Sequence, residues 1–484
     1  MGARSGNNYL STLKKLDAAI WLGGERVKDV TAHPAFVNCA RSVASLYDMQ
    51  LEHVEQMTYR TEDGGRAGYS FIQPKSADDV GRRARMMKAW AEWGCGMLGR
   101  SPDYLNAGIA AMAAAHEFFA LSDPRFGANI VKYYRAARDH DWCAAHALEN
   151  AHASRALESA GRADANLALR MVDRSADGII VTGCRMLATL APLAEELLVF
   201  PPAALKAEPA SAPFALSFAI PCNAKGLRFY CRDAYDLGRS RFDHPLTSRF
   251  DEMDCAAVFD NVLVPWERVF LCGDVERSNA MWDATGARVH MMHQVVVRNA
   301  AKSEFLLGLA ARIARSGDAM GLKDVREGLA EMIAVTEAMR ACLRAAEADA
   351  APDRWGVYVP ARAPLGAARN LFARMYPRMV EIIREASASS LMATPAEADF
   401  ANPDKHGDIE RYFTVAGSDS RERAALYRLA WDATCSAFAG RQMLLERDVS
   451  GVSGDSIPMA SALVDDTDLK PLMERVDAFL SRPD

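Results

Sequence analysis

The chain lacks the signatures of the common nucleotide- and metal-dependent folds. It has no Gly-x-Gly-x-x-Gly, no P-loop, no His-Glu-x-x-His and no EF-hand loop. That argues against a Rossmann dehydrogenase, a P-loop NTPase and a zinc protease. Positive charge is not in excess: 57 Lys and Arg stand against 63 Asp and Glu, a net charge of −6. No basic face therefore selects for nucleic acid. No apolar run approaches the ~18 residues of a membrane helix. The longest candidate, 107–121, is interrupted by His116 and Glu117. The opening MGARSGNNYLSTLKKL has no basic region followed by an apolar core, so no secretory signal is expected. Gly at the sixth position disfavours myristoylation. The 10 cysteines are scattered, with no CxxC pair. They read as reduced core residues of a cytoplasmic protein, not as a zinc or redox site.

What is present suits a large globular protein. Of 484 residues, 50% are hydrophobic and 25% charged. At ~150 residues per domain, about three domains are expected. The first 142 residues read as mostly helical. His33-Pro34 opens one apolar-periodic run, and Ser76, followed by Asp78 and Asp79, opens another that reaches Trp93. Ser101-Pro102-Asp103 repeats that pattern before a run to Leu121, and a further helix covers about 129–141. Short β-rich runs then follow at 178–189, 196–200, 212–222, 227–231 and 255–265. Pro201-Pro202 breaks two of them. A compact β domain over 143–270 accounts for these. Helical periodicity returns over 288–315, 322–350, 366–392 and 420–447, the signature of a C-terminal bundle spanning 271–484. Its second helix carries Leu329, Met332, Ile333, Met339 and Leu343 as one expected buried stripe. His290 and His293 can share a helix face, but no paired carboxylates accompany them. They are expected to line an interior surface or a subunit contact, and no metal site is expected.

The most informative stretch is Gly99-Arg100-Ser101-Pro102-Asp103-Tyr104-Leu105-Asn106. With Ser101 as N-cap, Arg100 lies just outside a helix start and Tyr104 in its first turn. Arg100, Tyr104 and the free N–H groups of that turn then converge on one point, which suits an anion. A phenolate, a carboxylate or a reduced flavin would fit.

At this point a family resemblance carries further. YLSTLKKLDAAIWLGGERVKDVTAHPAF, GRSPDYLNA, DHDWCAAHALEN, FDHPLTSRFDEMDCAAVFDNVLVPWERVF, HMMHQ and RLAWDATCSAFAGRQ run nearly end to end. Through them the chain resembles the oxygenase component of two-component, flavin-dependent phenol hydroxylases, the 4-hydroxyphenylacetate 3-monooxygenase family. The resemblance implies an α+β, acyl-CoA dehydrogenase-like fold: a helical N-terminal domain, a β-barrel middle domain and a C-terminal four-helix bundle, assembled as a homotetramer. It also implies a chemistry. A separate NAD(P)H-dependent flavin reductase supplies reduced FAD, O₂ adds at the flavin C4a carbon, and the resulting hydroperoxide hydroxylates a phenol or related aromatic ortho to its hydroxyl.

By the same resemblance, Arg100, Tyr104 and His146 are the catalytic residues, with Arg100 and Tyr104 around the phenol. A phenol has a pKa near ~10. A neutral His146 is a suitable base near pH 7, and Arg100 stabilises the phenolate. Flavin contacts are implied at His146, Asn150, His152, Ser154, Arg155, Thr189, Asp455 and Ser456, with Thr189 beside flavin N5. The chain departs from the pattern in three places. Ala151-His152 replaces Pro-Gln. The loop Gly454-Asp455-Ser456-Ile457-Pro458 carries an upstream insertion and a Pro where Arg is common. Pro202-Ala203 stands in the substrate pocket where members acting on 4-hydroxyphenylacetate present Ser-Thr to its carboxylate. Pro202 has no N–H and Ala203 no hydroxyl, so an arylacetate anion would lack donors there. A different phenol, an aromatic amine or an indole is therefore expected. A dehydratase of the 4-hydroxybutyryl-CoA type needs cluster thiolates. Near Arg100 there is only Cys95, and none follows HMMHQ until Cys342. A non-catalytic flavin-binding relative is the remaining alternative, suggested by the altered flavin segments.

Overall fold

The computed structural model describes residues 2–150, 167–201, 205–414, 419–449, 470–471 and 473–474. Up to residue 142 it is mostly helical, and the helices start where first-turn N–H groups find partners. Ser76 caps Ala77–Trp93 by accepting from the Asp79 N–H. Asp123 caps Pro124–His140, with Pro124 at the first helical position. His33-Pro34 differs from expectation. It forms a turn, with His33 Nδ1 accepting from the Ala35 N–H, and the helix begins only at Val37. The run toward Leu121 also breaks, into Pro102–Ala114 and His116–Ala120 joined at Ala115. Asp141, at φ 52, ends the helix before it and turns the chain toward the strand Ala144–Ala147.

Five strands fall on the β-rich runs: Gly178–Met186, Glu196–Val199, Leu216–Pro221, Leu227–Cys231 and Cys255–Pro265. They divide between two sheets. A seven-stranded sheet runs Glu25–Val27, Ile20–Leu22, Leu227–Cys231, Cys255–Pro265, Gly178–Met186 and Glu149–Asn150, with Arg170–Arg174 also on Gly178–Met186. A four-stranded sheet runs Val269–Cys272, Leu216–Pro221, Glu196–Val199 and Ala144–Ala147. Among the described residues neither sheet closes on itself. Among the described residues the middle of the chain is two sheets that do not complete the expected barrel, and Glu196–Val199 and Leu216–Pro221 pair with each other and with neighbours of their own. Strand Gly178–Met186 alternates buried and half-buried positions, as a strand with one covered face does. Ala144–Ala147 and Glu196–Val199 pair in parallel and are buried at every position, so both their faces are covered.

By contacts the chain divides into two units, Met1–Arg298 with Ala351–Val359, and Asn299–Ala350 with Pro360–Asp484. The second is helical. Its helices include Lys323–Ala348, Arg362–Ser387, Ser420–Thr434 and Ala437–Leu444. The last two divide the single expected run 420–447, because Ser436 caps a new helix by accepting from the Ala439 N–H. In Lys323–Ala348, Leu329, Met332, Val335 and Met339 form the buried stripe, whereas Ile333 is 50% exposed. Ile333 lies one residue, about 100°, around from Met332. The described cysteines are all free, with Cys39, Cys143, Cys222 and Cys255 buried. Among the described residues no helix is long and apolar enough to cross a membrane, and no His, Cys, Asp and Glu cluster could hold a metal.

Candidate active site

All the elements that follow lie in the first unit. The helix Pro102–Ala114 starts with Pro102 at its first position, and this places Arg100 just before it and Tyr104 in its first turn. The Arg100 guanidinium carbon sits 4.6 Å from the Tyr104 ring centre. The Tyr104 and His146 rings lie 5.6 Å apart at 48°. The three side chains expected around the phenol therefore meet, although His146 comes from the centre of a different element, the strand Ala144–Ala147.

The helix start works differently from the sequence expectation. Ser101 makes no capping bond; its hydroxyl donates to Asp103 Oδ1 at 2.5 Å. The Tyr104 N–H is taken by the Ser101 carbonyl at 3.1 Å. The Gly99 and Arg100 N–H groups donate to Glu252 Oε1 and Oε2, at 2.8 and 2.9 Å. The N–H groups of Gly99, Arg100 and Tyr104 are thus used internally, and among the described residues it is the Arg100 guanidinium that brings positive charge to Tyr104. Among the described residues it donates to one protein acceptor, the Gly99 carbonyl at 3.0 Å, which leaves most of its fork available to a ligand.

Burial sets the ionisation of two groups. His146 is 5% exposed, and desolvation, reinforced by the Arg100 charge, pushes its pKa down to about 3. It is a neutral imidazole throughout the physiological range. Asp103 is buried, and desolvation raises its pKa to about 6 against the opposing bonds from Ser101 and Gln294. Gln294 Nε2 lies 3.2 Å from Ser101 Oγ and 3.3 Å from each Asp103 oxygen. His290 and His293 are buried in the interior, with Arg83 Nη2 2.8 Å from His290 Nδ1.

Thr189 lies beyond Gly178–Met186 and is not part of that strand. It sits in a turn whose flanking residues Leu187 and Leu190 both have positive φ, 56° and 66°. Such a conformation costs a branched side chain about 1–2 kcal/mol per residue. The turn is held by backbone bonds from Ala188 to the Cys255 carbonyl (2.9 Å) and from Leu190 to the Met253 carbonyl (2.8 Å). The Thr189 hydroxyl donates to Asp254 Oδ1 at 2.7 Å. Asn150 accepts from Arg185 Nη1 at 2.7 Å. Arg185 is fully buried, and its Nε and Nη2 have no partner among the described residues. Desolvation lowers its pKa to about 10. The other expected contacts, His152, Ser154, Arg155, Pro202, Ala203, Asp455 and Ser456, lie outside the described residues.

Sequence reasoning missed Asp103, Arg232, Glu252, Asp254 and Gln294. The one available signal was the acidic Phe250-Asp251-Glu252-Met253-Asp254, three carboxylates beside a strand.

Comparison with known proteins places this geometry in context. Residues 5–271 match the family model for the 4-hydroxyphenylacetate 3-hydroxylase N terminal region, and 278–481 the model for its C terminal region. The chain is 44% identical over 481 residues to the 4-hydroxyphenylacetate 3-monooxygenase oxygenase component of Geobacillus sp. (strain PA-9), covering 99% of this chain and 97% of that one. Identity is also 44%, with the same coverage, to the Thermus thermophilus oxygenase component. A crystal structure of a 4-hydroxyphenylacetate 3-monooxygenase oxygenase component, complexed with FAD and 4-hydroxyphenylacetate, superposes with a TM-score of 0.93 at 44% identity, covering 99% of this chain and 98% of that chain.

Proposed function

The chain belongs to the 4-hydroxyphenylacetate 3-hydroxylase family, and on that premise we propose that Arg100, Tyr104 and His146 hold a phenol for hydroxylation while Thr189 faces the flavin. The protein is an enzyme, the oxygenase component of a two-component, FAD-dependent aromatic hydroxylase with an acyl-CoA dehydrogenase-like fold. A separate reductase is its partner. Bound reduced FAD, with O₂, supplies the oxygen atom that enters the ring.

The residues present fit that cofactor. Thr189 offers a hydroxyl at a rigid turn, and Arg185 carries two buried donors without acceptors among the described residues. Unmet donors of this kind suit an electron-rich reduced flavin, since a buried polar group without a partner costs about 1–3 kcal/mol. His152, Ser154, Arg155, Asp455 and Ser456 complete the flavin contacts of the same proposal, with Asn150 beside Arg185.

Arg100 does the electrostatic work on the substrate. A cation beside the phenol hydroxyl favours its anionic form, and that raises electron density at the ortho carbon. Tyr104 stacks under the guanidinium and restricts where it can point. His146 accepts the phenol's hydrogen bond as a neutral imidazole. In this dry pocket the imidazole is too weak a base to take the proton by itself, so transfer of the phenol proton to its ring nitrogen depends on Arg100 stabilising the phenolate left behind. The observation that carries the reading is the meeting of the Arg100–Tyr104 pair with a buried, neutral His146.

The proposal extends to a substrate lacking an arylacetate carboxylate, given Pro202-Ala203, to a homotetramer in the cytoplasm, and to domains over 1–142, 143–270 and 271–484. It is tested by supplying NADH. The protein alone should not turn over, and adding FAD with a flavin reductase should start phenol consumption. NADH oxidation by the isolated protein at a substrate-coupled rate would contradict it.

A further inference from the structure

We propose that Asp254 is a positioning residue that fixes the hydrogen-bonding direction of Thr189, making its hydroxyl an acceptor only toward the cofactor. The inference rests on the reading that Thr189 faces flavin N5. A threonine hydroxyl has one proton and two lone pairs. Left to rotate, it can donate to an acceptor or accept from a donor. Here the proton is committed to Asp254 Oδ1 at 2.7 Å. Asp254 cannot reciprocate, because its other oxygen is paired with Arg232 Nε at 3.0 Å, which holds it as a carboxylate.

Arg232 in turn is fixed on every side. Its Nη2 donates to Asp251 Oδ1 at 2.8 Å and to the Glu252 carbonyl at 2.9 Å, and its Nη1 to the Asp233 carbonyl at 2.8 Å. The carbonyls of Cys255 and Met253, the residues on either side of Asp254, accept from Ala188 and Leu190, on either side of Thr189. Position and polarity of the hydroxyl are therefore set by one brace.

The polarity has a chemical consequence. N5 of a reduced flavin carries a proton and donates; N5 of an oxidised flavin presents a lone pair and accepts. An acceptor-only hydroxyl matches the first and repels the second. Asp254 thus makes the site prefer reduced FAD, the form a two-component oxygenase must capture. It also favours release of the oxidised form. Asp254→Asn keeps the shape but can present an N–H to Thr189, freeing the hydroxyl proton to turn toward an oxidised N5.

The test is anaerobic equilibrium titration of the purified protein with oxidised and with reduced FAD, which reads binding without turnover. Asp254→Asn should lower the preference for reduced FAD about tenfold, the worth of one hydrogen bond of ordinary strength. Thr189→Val should lower it by a similar factor, and Asp254→Asn should add nothing on the Thr189→Val background, because the two act as one unit. An unchanged preference in Asp254→Asn alongside a reduced one in Thr189→Val would overturn the role of Asp254 and leave Thr189 at the ring. An unchanged preference in Thr189→Val would overturn both. Independent, additive losses would mark Asp254 as structural only, again against the proposal. Should Asp254→Asn fail to fold, Arg232→Lys loosens the same carboxylate and should give a smaller loss in the same sense; no change there would also overturn it.

Discussion

The proposed phenol side and the proposed flavin side of the site are built in opposite ways. Arg100 and Tyr104 lie in one short stretch at a helix start, within local grammar: a serine, a proline at the first helical position and an acid in the first turn. Thr189 stands on a turn with two residues at positive φ, and short-range backbone bonds such as Thr189 N–H to the Leu187 carbonyl (2.8 Å) do not by themselves orient its hydroxyl. Its supports are Asp254, Met253 and Cys255, more than sixty residues away. Yet both sides lean on the same acidic segment, Glu252 on one and Asp254 on the other. Local sequence specified what the first side presents, and long-range contacts specified how the second side presents it.

The sharpest way to break that comparison is to remove the phenol side alone. Arg100→Ala and His146→Ala should each cut hydroxylation by about 10²–10⁴-fold, the usual effect of losing a positioned charge or proton-handling group. Oxidation of reduced flavin should continue, releasing hydrogen peroxide, because Thr189 and its brace are untouched. Product and peroxide measured together check this; near-normal hydroxylation in both variants would sink the assignment.

A smaller effect is expected from the shared brace. Glu252→Gln leaves one acceptor for two N–H groups and should raise the phenol KM about tenfold, consistent with the ~1–3 kcal/mol of a charge-assisted bond. A response confined to flavin binding would show that Glu252 does not serve Arg100.

The sequence made the first side legible because its signals are local. Ser76 and Pro102 mark helix starts, and the β-rich runs mark five strands, whereas the helix expected over about 129–141 begins earlier, at Pro124. It failed where tertiary contacts override periodicity. Ser101 looks like a cap but spends its hydroxyl on Asp103. The run 420–447 divides at Ser436, which caps a second helix. His146 reads as a base near neutrality until its burial is known, and burial is not a property of DHDWCAAHALEN. Glu252 and Asp254 are ordinary carboxylates in sequence, and only the fold shows what they hold.

The next effect is on stability. Asp103 has a folded pKa raised to about 6, so the stability its protonated form contributes is present at low pH and lost as pH rises through 6. His146 acts oppositely: its depressed pKa of about 3 costs stability as pH falls below the ordinary histidine value of ~6.5. Asp103→Asn should therefore stabilise the protein at pH 8 by of order 1 kcal/mol and do little near pH 4. Gln294 can adapt, since its Oε1 has no partner among the described residues and an amide flip presents it to the new N–H. Thermal unfolding at both pH values checks this; equal effects at the two would refute it.

The smallest expected effect is on specificity. Restoring Ser and Thr at Pro202 and Ala203 should improve use of 4-hydroxyphenylacetate several-fold relative to uncharged para-substituted phenols, by giving its carboxylate donors. A clear preference of the unaltered enzyme for 4-hydroxyphenylacetate would show that its carboxylate is held elsewhere.

The central claim is that one pocket joins a phenol held by Arg100, Tyr104 and His146 to reduced flavin and O₂. It is tested most directly by incubating the protein with reduced FAD, isotope-labelled O₂ and a panel of phenols, and reading the products by mass. The account predicts a ring-hydroxylated product carrying one labelled oxygen ortho to the original hydroxyl, formed by the unaltered enzyme and lost in Arg100→Ala. Peroxide alone from every phenol, or a product whose oxygen comes from water, would contradict it.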